Sequence, residues 1–116
     1  MRDLLLISEP RGQRAARNDA EACARYAEMV GFGEGSGARL LASESLRPDS
    51  HGVRVQVPHD KPVLRDGPFA EAREMIGGFF LLDCASLDEA VAIARDCPAA
   101  RFATVEVREC APCFVH

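Results

Sequence analysis

Glu44 and Asp66 are the two carboxylates in this chain whose setting suggests chemistry. Glu44 closes a mainly apolar stretch from Ala38 to Ser45, where an ionised side chain needs a partner. Side by side, the two would repel and their proton affinities would split, leaving one as acid and the other as base. The plainer alternative is a salt bridge from Glu44 to Arg54 or Arg65. Asp66 opens the run Asp66-Gly67-Pro68-Phe69, which also has two readings. As structure, aspartate and glycine suit a turn, Pro68 fixes the backbone and Phe69 plugs the core. As a site, Asp66 and Glu71 would present carboxylates at a cleft between an inserted hairpin and the main sheet.

The tail Cys110-Ala111-Pro112-Cys113-Phe114-Val115-His116 has the residue types of a metal or redox centre. It supplies three ligands, one short of a closed zinc site unless His51 or His59 joins. No helix begins ahead of the cysteine pair to lower a thiol's pKa, which argues against redox chemistry, and with the ligand set one short neither a metal nor a cofactor is expected. Gly33-x-Gly35-x-x-Ala38 imitates a nucleotide fingerprint, but it follows a helix and precedes a strand, the reverse of what phosphate binding needs. His51 and His59 lie in polar turns and read as solvated, as do Arg2, Arg11, Arg14 and Arg17.

The elements that position these residues follow from periodicity. Asp3 to Ser8 is a short apolar strand, and Glu9 to Arg17 reads as a loop. Asn18 with Glu21 forms a capping box for a helix whose buried stripe is expected to be Cys23, Tyr26, Ala27 and Val30. That helix should fray or stop among Gly31, Gly33, Gly35 and Gly37. A second strand spans residues 38–45 and a loop runs from Leu46 to Gly52. Val53, Val55 and Val57 alternate on one face of a strand, and Pro62 to Arg65 returns beside it. Ile76 to Asp83 is a central strand, Ser86 with Glu89 caps a second helix lined by Leu87, Ala90, Val91 and Ala94, and Phe102 to Val107 is the last strand.

The order strand–helix–strand, hairpin, strand–helix–strand predicts an α+β fold, a ferredoxin-like βαβ-βαβ sandwich with an inserted β-hairpin. Two helices cover one sheet face. The other face, with the valines of the inserted strand taken as part of it, is expected to pair with a second copy as a homodimer.

Composition sets the outer limits. The chain has 116 residues, 47% of them hydrophobic and 28% charged, which fits one folded domain and excludes wholesale disorder. We place that domain at residues 1–109, with 110–116 as a tail. A net charge of −4 argues against nucleic-acid or anionic-membrane binding. The early apolar run from Leu4 to Ile7 is too short for a leader or a membrane span, so a cytoplasmic protein is expected. Five cysteines without an export signal are expected to stay reduced, with Cys23, Cys84 and Cys97 as small buried hydrophobes.

Asp66-Gly67-Pro68-Phe69-Ala70-Glu71, followed by Gly77-Gly78-Phe79-Phe80-Leu81-Leu82, resembles the DGPF-domain branch of the YCII-related family. Ser86-Leu87-Asp88-Glu89-Ala90, Cys97-Pro98-Ala99-Ala100-Arg101 and Val105-Glu106-Val107-Arg108 continue the likeness. The resemblance implies a dimeric α/β barrel, and for such proteins a His–Asp pair in a cleft has been proposed as catalytic. Counted back from Ser43-Glu44, that histidine falls near Tyr26, so the dyad does not carry over. The resulting expectation is a small-molecule ligand in a cleft lined by Tyr26, Phe69 and Glu71. Glu44 or Asp66 would act as base in cofactor-free proton transfer or isomerisation; the alternative is a non-catalytic ligand-sensing or regulatory module.

Overall fold

The computed structural model describes residues 1–69 and 72–116. Among these residues six strands and two α-helices form in the order β1 (Arg2–Pro10), α1 (Asp19–Gly35), β2 (Leu40–Ser45), β3 (Val53–Gln56), β4 (Val63–Asp66), β5 (Glu74–Asp83), α2 (Leu87–Asp96) and β6 (Thr104–Glu109). Four of the strands make one antiparallel sheet in the order β2-β5-β1-β6. This is the ferredoxin-like arrangement expected from the element order. The remaining two, β3 and β4, pair with each other as a separate hairpin, Val53 opposite Asp66 and Gln56 opposite Val63.

Alternation along β1 explains where the core lies. Asp3, Leu5, Ile7 and Glu9 are buried on the helix-covered face, while Leu4, Leu6 and Ser8 point to the other. Phe80 and Leu82 of β5 join Leu5 and Ile7, and Cys84, Ala90, Ala94, Cys97 and Ala99 close over them. Small residues on α2 let that helix sit close to the sheet. Burial pushes the thiols of Cys84 and Cys97 up from their ordinary range. Asp3 is an exception in this core: it is fully buried and neither carboxylate oxygen has a hydrogen-bond partner among the described residues. Its carboxyl is pushed up, first by burial and then by the nearby charge of Glu109.

The molecule measures 44 × 43 × 20 Å, the thickness of one sheet and one helical layer. Among the described residues, no helix or strand layer covers its second sheet face, which carries Leu4, Leu6, Phe79 and Leu81. Val53, Val55 and Val57 do not belong to that face, contrary to the sequence reading. They sit on the exposed hairpin, 53–60% accessible, because among the described residues β3 pairs only with β4.

Both helix starts form as their sequences predict, with one difference. Asn18 and Glu21 make the full reciprocal box on α1. On α2 the Ser86 hydroxyl accepts from the Glu89 amide at 3.1 Å, but the Glu89 carboxylate goes to Arg39 at 3.1 Å. The box is therefore half made, because a guanidinium competes with the amide for that carboxylate. No helix among the described residues is long and apolar enough to cross a membrane.

Candidate functional site

The expected stripe on α1 is rotated. Cys23, Tyr26, Ala27 and Val30 are exposed, and the inward side carries Arg25, Met29, Phe32 and Gly33. Gly33 is the helix's buried residue; a Cβ there would stand 3.4 Å from both Leu40 and Phe80, which places this end of the helix in contact with the sheet. Phe32 meets Phe80 edge-on, with ring centroids 5.0 Å apart. Toward its N-terminus the helix stands off, and a cavity of about 340 Å³ opens beneath it. The rotation of the stripe is why Cys23 is exposed rather than buried.

The cavity has an apolar floor of Ile7, Met29, Phe80 and Phe102 and a strongly charged wall. β1 runs two residues beyond its sequence-predicted end, and its alternation carries Glu9 inward to 6% exposure. Arg14 approaches Glu9 at 2.6 Å and also donates to the carbonyls of Leu46 at 2.6 Å and Gly77 at 3.1 Å. A Cβ on Gly77 would fall 2.7 Å from Cδ of Glu9 and 2.8 Å from Nη2 of Arg14. Glycine at this position leaves room for the ion pair. Arg17 and Arg25 complete the wall, both stacked on the Phe102 ring.

The five residues expected to share a cleft are divided among different places. Tyr26 and Glu44 border the cavity. Register fixes where Glu44 points: Ser43 opposes buried Phe80, whereas Glu44 opposes Phe79 on the uncovered face. Ser43 and Ser45 therefore face α1, and the Glu44 side chain leaves on the other side. Asp66, exposed at the end of β4, lines neither the cavity nor a second recess of about 500 Å³ between hairpin and sheet. Phe69 does line that recess. Glu71 lies outside the described residues. Glu44 and Asp66 are thus on separate sheets, and neither of the two pockets described is lined by both.

The Asp66–Phe69 run joins the hairpin to the body. Gly67 donates to the Gly52 carbonyl at 2.9 Å, and a Cβ there would lie 1.8 Å from the Asp49 carbonyl oxygen. The Gly67–Pro68 peptide is cis. Phe69 is 7% exposed, with the guanidinium of Arg54 at 3.7 Å from its ring centre and that of Arg65 at 5.5 Å. Arg11 grips this junction: it reaches both oxygens of Asp49 at 2.8 and 2.6 Å and the carbonyls of Phe69 and Ala72 at 3.0 and 2.8 Å. The Asp49 carboxylate also accepts from the Phe69 amide, and Arg11 holds its pKa down at about 2. The two arginines of the hairpin that were candidate partners for Glu44 stack on Phe69.

Sequence reasoning missed Glu9, Arg14, Arg17 and Arg25. Continued alternation from Asp3 through Glu9 is the signal that would have found the first. At the tail, Cys110, Cys113 and His116 form no cluster with other potential metal ligands among the described residues.

Comparison with known proteins fits this architecture. A segment of 51 residues, 44% of the chain and 41% of the relative, is 53% identical to an uncharacterised protein of Rhizobium meliloti. The match thus spans less than half of that relative's length. The fold is similar to that of the 5-chloro-2-hydroxyhydroquinone dehydrochlorinase from Burkholderia phenoliruptrix, solved with 2,5-dihydroxybenzoquinone. The TM-score is 0.57 at 17% identity, covering 96% of this chain and 94% of the other. The model of the YCII-related domain matches residues 6–113, nearly the whole chain, and the chain belongs to that family.

Proposed function

We propose that this chain binds a small organic molecule in the cavity between α1 and the sheet, and that it works as a homodimer joined through the uncovered sheet face. The observation that carries the reading is the cavity itself. A helix with a buried glycine contact at one end and a gap of about 340 Å³ at the other encloses a volume in the range of small-molecule sites. Its walls combine an apolar floor with a few convergent charged groups, which is how such sites orient their ligands. The dehydrochlorinase of similar fold was solved with a small quinone, which fits this reading. The second recess is a weaker choice, because Asp49, Arg54 and Phe69 in its wall are engaged in holding the hairpin.

Acid–base groups border the cavity: the carboxylate of Glu9 and the phenol of Tyr26. Cofactor-free proton transfer on the bound molecule is therefore the activity to seek, with Tyr26 as a ligand contact. One observation favours the ligand-sensing alternative. Glu9 is occupied by Arg14 and the Glu44 side chain points away, an arrangement that holds a ligand without supplying it a free base.

Amide and methyl NMR shifts during titration with a library of small polar aromatic and aliphatic compounds test the site. Perturbations are expected to cluster on Tyr26, Met29, Ser43 and Phe102. A cluster around Phe69 and Ile76, or none anywhere, would refute it. Light scattering tests the assembly, which should show twice the 12.6 kDa chain mass; a 12.6 kDa particle at micromolar concentration would sink the dimer.

A further inference from the structure

The charged wall of the cavity also says what kind of molecule it takes, an inference that rests on the ligand-site reading above. Its three guanidiniums are not equivalent. Arg14 is consumed by Glu9 and two main-chain carbonyls. Arg17 and Arg25 lie over the same aromatic ring, 4.9 and 5.9 Å from the centre of Phe102. Arg17 has no ion-pair partner among the described residues. Arg25 reaches Glu28 through Nη2 at 2.8 Å, but that carboxylate is shared with Arg101 at 3.3 Å.

Two like charges gathered on one ring repel. That cost is relieved by an anion bound in the cavity between the two guanidiniums. Arginine is suited to that task, since its fork matches a carboxylate. The setting sharpens the contrast: the protein carries a net charge of −4, yet this cavity gathers three arginines against one buried carboxylate. Behind the arginines the floor is apolar, so the rest of the ligand is apolar and small.

We infer that the cavity takes a small organic carboxylate with a flat apolar body, its acid group between Arg17 and Arg25 and its body against Ile7, Met29 and Phe80. Benzoate and its neutral isostere benzamide, titrated by calorimetry or NMR, separate this inference from the one beneath it. The acid should bind at least about tenfold more tightly than the amide and weaken as salt rises, while amide binding stays level. Arg17→Gln and Arg25→Gln should each remove most of the acid's advantage and leave the amide unchanged. Arg17→Lys, which keeps the charge and loses the fork, should fall between. Equal affinity for acid and amide would overturn the anion and leave the ligand site standing. Acid binding indifferent to both arginine variants would place the head group elsewhere and overturn the inference. Failure of both compounds to bind would remove this inference and the ligand-site reading together. The salt series on the unmodified protein decides the matter even where a variant folds poorly.

Discussion

Replacing Gly67 by alanine puts one methyl group into the joint between hairpin and body. The added Cβ would stand 1.8 Å from the carbonyl oxygen of Asp49, where real contacts do not fall below 3.0 Å, so something must move by about 1.2 Å. The atom struck is main chain and is already held, since it accepts from the Gly52 amide at 2.8 Å. Its own side chain is tied to Arg11 and to the Phe69 amide. Overpacking costs about 1–3 kcal/mol, and a clash against fixed backbone belongs at the upper end. For a chain of this size about 3 kcal/mol lowers Tm by roughly 12 °C. Thermal unfolding followed by circular dichroism measures it. Gly31→Ala provides the opposite control: its Cβ meets nothing within 4 Å in the middle of α1, so alanine should add about 0.5–1 kcal/mol and raise Tm. A Gly67→Ala protein melting within about 2 °C of the parent would refute the steric account.

Asp66→Asn, at an exposed position lining neither cavity, should leave Tm and ligand affinity unchanged; a drop in melting temperature would give its carboxylate a part in the turn. Phe69→Ala empties a buried ring position and should cost about 3–5 kcal/mol by chemical denaturation, while binding at the cavity under α1 persists in the folded fraction. Asp3→Asn should raise Tm at neutral pH. Because the folded-state pKa of Asp3 lies above its unfolded value, its favourable contribution is complete below the unfolded pKa and fades as pH rises through the folded one. The variant's advantage should therefore vanish in acid, and an advantage constant across pH would contradict the argument. Asp49 behaves oppositely: its pKa of about 2 keeps the Arg11 bridge intact until pH falls through the interval between its ordinary value of 3.8 and 2. Arg11→Gln should abolish that acid-dependent step in Tm.

Much of the fold was legible because its signals are local. Alternation in β1 and β5, the capping box of Asn18 and Glu21 and the Ser86 cap each need only a few neighbouring residues. The candidate site was not, because its logic is long-range. Arg11 meets Asp49 across 38 residues and Arg14 meets Gly77 across 63, so a run of arginines that reads as a solvated loop is bonded to distant chain. The stripe on α1 failed for a related reason. Counting hydrophobes presumes a helix pressed flat on its sheet, whereas this one touches through Gly33 and leaves a gap beneath Tyr26 and Met29. Glu44 failed on parity alone: one residue earlier or later in β2 would have faced the cavity.

Arg11, Arg14 and Arg17 recur at steps of three in the segment between β1 and α1, and each meets a different object: the hairpin junction, the main chain of β5 and the Phe102 ring. Connections of this kind ordinarily absorb insertions and deletions without harm. This one cannot, because adding or removing a single residue would throw at least one arginine out of reach of its partner. Its length is as much a specification as its composition, and relatives that share the cavity and the hairpin should share the spacing too.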